Sequence, residues 1–174
     1  MTLNQTLINL LETNAADFEG LNNPNYYKSM FEFVLKEGKT FESEELNEEE
    51  MKIVKEALKR SRNTTMGDCF YNAQTLAMRD ESNNIQYFEG YTLSKDIAYP
   101  YSHGFNVINN KIVDITHTIN GKHIFGDLKN SKAYMGVEFD KSLSFKRILS
   151  GKNCISFIDN WQEGFPILKS KWKS

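Results

Sequence analysis

Apolar residues recur at helical spacing through the early part of the chain and at alternate positions further on, so the pattern predicts helices first and a sheet afterwards, an α+β protein. Leu3, Leu7, Leu10 and Leu11 in TLNQTLINLLE predict a short first helix, which loosens into the polar stretch GLNNPN around Pro24. Tyr27, Met30, Phe31, Val34 and Leu35 predict a second helix over YYKSMFEFVLKEG, stopped at Gly38. A third follows Ser43 and an acidic first turn. Leu46, Ile53, Val54, Ala57 and Leu58 line one face, and Lys59, Arg60 and Arg62 collect at the far end, where the helix dipole favours cations. Residues 1–62 therefore read as a helical N-terminal portion that serves as scaffold.

From Asn63 the character changes. NTTMGD is small and polar, a loop that delivers the chain into a helix at Cys69 whose apolar stripe is Phe70, Ala73, Leu76 and Ala77. IQYFEGYTL then alternates as a strand, with Gly90 marking a bulge or a close backbone approach. Beyond Pro100, SHGFNVI and KIVDIT read as two strands joined at Asn109-Asn110, a dipeptide suited to the left-handed turn of a tight hairpin. In such a hairpin His103 lies opposite Thr116 and Asp114 opposite Phe105, so His103 and Asp114 are diagonal neighbours on one face. HTINGKHIFGD holds a turn at Asn120-Gly121, AYMGVEF is strand-like, and SLSFKRILSG predicts a short helix ended by Gly151. The aromatic-rich segment from Cys154 covers one side of the core, with Cys154 a buried structural thiol among Ile155, Phe157 and Ile158.

Composition narrows the functional classes. The 174 residues suit one compact domain of ordinary size, with residues 63–174 as its core. Two cysteines are too few for a disulfide framework, and the start of the chain lacks the pattern of a secretory signal, so reducing cytoplasm is the expected compartment. The apolar runs fall short of the roughly 20 residues that span a bilayer, so membrane insertion is not expected. A net charge of −2 with mixed signs does not suggest nucleic acid as partner; LKR near Arg60 and the tail KSKWKS read as solvated ends.

The candidate chemistry lies between Cys69 and Thr116. A thiol in the first turn of a helix meets the positive end of the dipole and free N–H groups, both of which favour ionised sulfur, while the neighbouring Asp68 opposes it. Cys69, His103 and Asp114 are the inventory of a thiol nucleophile, its base and the carboxylate that orients the base. Cys69, His103, Asp114 and His117 are also legal zinc ligands, but no Cys-x-x-Cys or His-x-x-x-His pair supports a metal site. His117 and His123 read as surface or loop residues.

CFYNA at a helix start, YFEGY, HGFNV and VDIT together resemble the core of the transglutaminase-like and papain-like cysteine enzymes, in particular small bacterial and phage members of that superfamily. The likeness spans residues 67–116; Gly104-Phe105 stands where Ala-Trp is common, and Ile115 where Pro is common. It implies a catalytic helix packed on an antiparallel sheet, with Cys69 as nucleophile, His103 as general base and acid, and Asp114 fixing the histidine tautomer. In papain-like enzymes an amide six positions before the cysteine donates to the oxyanion, a place held here by Asn63, with Asn72 the competing amide. The backbone N–H of Cys69 would be the second donor, each worth about 3 kcal/mol in the transition state. The implied activity is hydrolysis, without cofactor, of an amide or thioester bond in a peptide, protein or acyl-conjugate substrate. The alternative is a binding or inhibitor module on a degenerate papain-like fold; the substrate and the oligomeric state stay open.

Overall fold

The computed structural model describes residues 1–17, 27–41, 44–61, 67–119, 122–125, 132–150, 155–160 and 163–169. Among these residues, five helices and six strands follow one another as α1 (Leu3–Asp17), α2 (Met30–Glu37), β1 (Lys39–Phe41), α3 (Glu48–Arg60), α4 (Cys69–Arg79), β2 (Gln86–Ser94), β3 (Tyr101–Ile108), β4 (Lys111–Ile119), β5 (Lys122–Phe125), β6 (Lys132–Phe139) and α5 (Lys141–Leu149). All strands join one antiparallel sheet in the order β1-β6-β2-β3-β4-β5, which makes the chain an α+β protein. No helix among the described residues is long and apolar enough to cross a membrane.

Alternation along the strands sorts the side chains onto two faces. On one, Tyr87, Tyr91, Leu93, Met135, Val137 and Phe139 pack under Leu7 and Leu11 of α1, Phe33 and Val34 of α2, and Ala73 and Ala77 of α4. The same face continues across Ile108, Val113 and Ile115, where Leu76 of α4 meets Val54 and Ala57 of α3. The opposite face buries Phe41, Phe88, Phe105, Val107, Ile112 and Tyr134. Gly90 lies in unbroken register with His103 on one side and Gly136 on the other. A Cβ there would stand 2.1 Å from the Met135 carbonyl oxygen, so this glycine marks a close backbone approach and not a bulge.

The N-terminal portion is not purely helical. Lys39–Phe41, unmarked by any alternation, pairs with β6 and forms one edge of the sheet. The third helix also starts later than Ser43, a residue outside those described. Asn47 caps it, accepting from the Glu50 N–H at 2.9 Å while Glu50 Oε2 accepts from the Asn47 N–H at 2.8 Å. Glu50 then reaches the β3–β4 turn, accepting from Asn109 Nδ2 and Lys111 Nζ, both at 2.9 Å. Burial raises the pKa of Glu50, but these hydrogen bonds and the Lys111 charge outweigh it and hold the carboxyl below its usual range.

Asn109 and Asn110 have φ of 48° and 66°, the left-handed pair that a two-residue hairpin turn requires. The pairs Ile108–Lys111, Val107–Ile112 and Asn106–Val113 are those the turn predicts. There the ladder stops. His103 and Thr116, and Phe105 and Asp114, are not ladder partners: beyond Val113 the pairing with β3 ends, and β4, paired with β5 along its other edge, carries a register irregularity between Asp114 and Thr118. His117 and His123 correspondingly sit in strands rather than loops. Asn120, Gly121, Gly151 and Cys154, and with them the expected turn, helix stop and buried thiol, lie outside the described residues.

Candidate active site

The site forms where β3 and β4 part. The N-terminal end of α4 sits against the part of β3 that pairs with β2 but not with β4: a Cβ on Gly104 would stand 2.9 Å from Cα of Phe70 and 3.2 Å from the Cys69 carbonyl oxygen. Any larger residue would push the helix end away from β3. Asn72 Nδ2 donates to Thr116 Oγ1 at 3.3 Å, tying the same helix turn to β4. Cys69, a half-buried free thiol, is the first residue of the helix. Asp68 precedes it without any side-chain capping bond, so the first N–H groups of α4 are not occupied by its carboxylate.

His103 and Asp114 come from the aromatic face of the sheet and are 2% and 1% exposed. His103 Nε2 lies 2.8 Å from Asp114 Oδ2, and the Cys69 side chain adds a further hydrogen bond to His103. Since Asp114 occupies Nε2, the sulfur is left with Nδ1. The start of α4, β3 and β4 thus bring a thiol, an imidazole and a carboxylate to one place. The irregularity in β4 falls just after Asp114, and the Thr116 N–H turns back to donate to Asp114 Oδ1 at 3.1 Å.

The electrostatics follow from this packing. Burial alone would push the His103 imidazolium toward losing its proton. The Asp114 charge and hydrogen bond, with a smaller contribution from Cys69, more than reverse that and raise its pKa to about 9. Two tyrosines and a lysine complete the surroundings. Tyr134, fully buried, donates to Asp114 Oδ2 at 2.8 Å. Tyr101 meets the His103 ring edge to face at 5.9 Å, and burial, Asp114 and Cys69 push its phenol up to about 12. Burial takes the Lys132 ammonium down to about 8, against the pull of Asp114.

Of the expected oxyanion donors, Asn63 lies outside the described residues, and Asn72 is a buried tie, 2% exposed, with its amide on Thr116. Tyr134, Tyr101, Lys132 and Thr116 were not singled out by sequence; parity along AYMGVEF could place Tyr134 on a face, but not beside β4. Among the described residues no group of three or more His, Cys, Asp or Glu side chains is arranged to hold a metal ion. The clefts along α3, lined by residues such as Lys52, Lys55 and Lys59, include neither Cys69 nor His103. Comparison with protein-family models, curated proteins and solved structures finds no match for this chain.

Proposed function

We propose that this chain is a cysteine-dependent acyl-transfer enzyme with a papain-like or transglutaminase-like core, a hydrolase of amide or thioester bonds in a peptide, protein or acyl-conjugate substrate. One observation carries the reading: a fully buried imidazole hydrogen-bonded to a carboxylate through one nitrogen and to a half-exposed thiol through the other. A histidine recruited only to satisfy the core would not need an uncommitted thiol at a helix N-terminus as its second partner. The reducing cytoplasm is the compartment in which such a thiol persists.

The chemistry runs in two halves. The Cys69 sulfur attacks the carbonyl carbon, and the charge that develops on oxygen faces the uncapped N–H groups at the start of α4. The carbon–nitrogen or carbon–sulfur bond then breaks, and the leaving group takes its proton from the His103 imidazolium, leaving a thioester on Cys69. Water attacks that thioester, His103 accepts its proton, the bond to sulfur breaks, and the acid product departs with the imidazolium–thiolate pair restored. Asp114 never transfers a proton in this scheme. It fixes the ring with Nδ1 toward sulfur and stabilises the imidazolium.

The test is labelling with a neutral thiol-directed electrophile near neutral pH, followed by mass mapping of the adduct. Wild-type protein is expected to label at Cys69, Cys69→Ala to lose label and turnover of thioester and peptide probes, and His103→Ala to label much more slowly. Label that survives in Cys69→Ala, mapping to Cys154, refutes the reading.

A further inference from the structure

Asp114 Oδ2 is shared. It accepts from His103 Nε2 and from Tyr134 Oη, both at 2.8 Å, while Oδ1 accepts from the Thr116 N–H at 3.1 Å. Given the catalytic reading above, on which this inference rests, a hydrogen bond aimed at the very oxygen that holds the imidazolium is not neutral to the chemistry. We propose that Tyr134 is a positioning residue of this site: its phenol takes up part of the charge on Asp114 and so limits how tightly His103 keeps the proton it must hand to the leaving group.

The phenol is well placed for this. Burial, then the charge and hydrogen bond of Asp114, hold its ionisation well above the ordinary tyrosine range, so it stays a donor while His103 titrates. Its ring is fixed on β6, fully buried and packed 5.1 Å from Phe105 and 6.2 Å from His103. Out of water, a carboxylate that already gives one lone pair to a phenol binds an imidazolium less tightly than one that does not. A general acid held too firmly by its partner is a poor proton donor, since transfer is most efficient when its pKa lies near the working pH. A valine or phenylalanine would fill this core position without a buried hydroxyl to satisfy.

The neighbouring charges leave Tyr134 as the adjustable element. Among the described residues, His103 is faced by Asp114 of β4, Cys69 of α4, Tyr101 of β3 and Tyr134 of β6. Asp114 is faced by His103, Tyr134, Tyr101 and Lys132. Lys132 lies on the same sheet face, two residues before Tyr134, with its Nζ buried and no hydrogen-bond partner among the described residues. Its pKa of about 8 leaves it mostly uncharged where His103 titrates. Tyr101 makes its hydrogen bond to Thr92 and not to Asp114. Among these groups the Tyr134 phenol holds the shared oxygen whether or not His103 carries its proton.

The experiment is NMR titration of the His103 imidazole in the intact chain. Wild type is expected to titrate near pH 9. Tyr134→Phe, near-isosteric and checked for fold by circular dichroism, should titrate higher by about one unit. Site-specific 3-fluorotyrosine at position 134 keeps the shape, strengthens the donor, and should shift the midpoint down by a few tenths of a unit. A midpoint in Tyr134→Phe that coincides with wild type overturns the proposal. So does, if that variant fails to fold, an unshifted midpoint with fluorotyrosine. Failure of the catalytic reading shows separately, as Cys69 alkylation by iodoacetamide that His103→Ala leaves unchanged.

Discussion

Asp114 and Glu89 are both buried carboxyls of the same sheet, 1% and 0% exposed, and they face opposite sides of it. Their partners differ in kind. Asp114 meets a ring that can carry a positive charge, and the pair holds a proton well above the ordinary histidine value. Glu89 meets only neutral donors: the Tyr87 hydroxyl at 2.5 Å, the Ser156 hydroxyl at 2.7 Å, and the N–H groups of Phe157 at 2.8 Å and Ile158 at 3.1 Å. Burial therefore wins and pushes the Glu89 carboxyl up, with the donors offsetting only part of the cost. One carboxyl stabilises a protonated imidazole, while the other pins residues 156–158 to the sheet beneath α4. Burial is common to both, so the charge of the partner decides the role.

The sharpest way to break this contrast is Asp114→Asn. It keeps the volume but cannot stabilise the imidazolium, and should lower turnover by about 10³–10⁴ with the fold retained by circular dichroism. A loss under tenfold would make Asp114 as structural as Glu89. Next comes Glu89→Ala, which strands four buried donors and should cost roughly 2–4 kcal/mol in denaturant melts. Cys69 labelling of the folded fraction should be unchanged; lost labelling would make Glu89 part of the site.

The pH dependence has the same sign for both, stability falling as pH rises, and separates the pair by the pH window in which each acts. The folded pKa of His103 is raised from 6.5 to about 9, so its contribution to stability is whole below 6.5 and is lost as pH rises through 9. Melting temperatures of wild type and Asp114→Asn should thus converge above that pH. Glu89 is also raised, from 4.5, so its ionisation costs stability at neutral pH and is relieved on acidification. The smallest expected effect serves as a control: Asn47→Ala removes half of the α3 capping box, should cost about 1 kcal/mol, and should leave labelling of Cys69 unaltered.

The helix beginning at Cys69 was legible because Phe70, Ala73, Leu76 and Ala77 repeat at helical spacing after a polar loop. The β3–β4 turn was legible because two asparagines tolerate the φ values it needs, and strand parity then placed His103 and Asp114 on one face. What the strands do beyond the turn was not legible. The parting of β3 and β4 accompanies the irregularity after Asp114 and the return of Thr116 onto it, while β5 pairs along the other edge of β4, a contact between segments without local signal. Nor was β1, three residues long and recruited by β6.

Local chemistry along the chain determined which side chains could react, because helical period, turn propensity and strand alternation act over a few residues. Only the tertiary structure decided what each of them touches. Tyr134 reaches Asp114, and Glu89 reaches Ser156, because β6 crosses to β2 and the chain after α5 returns to the sheet. Those pairings rest on burial shared across the whole molecule, and such burial is not directional along the sequence.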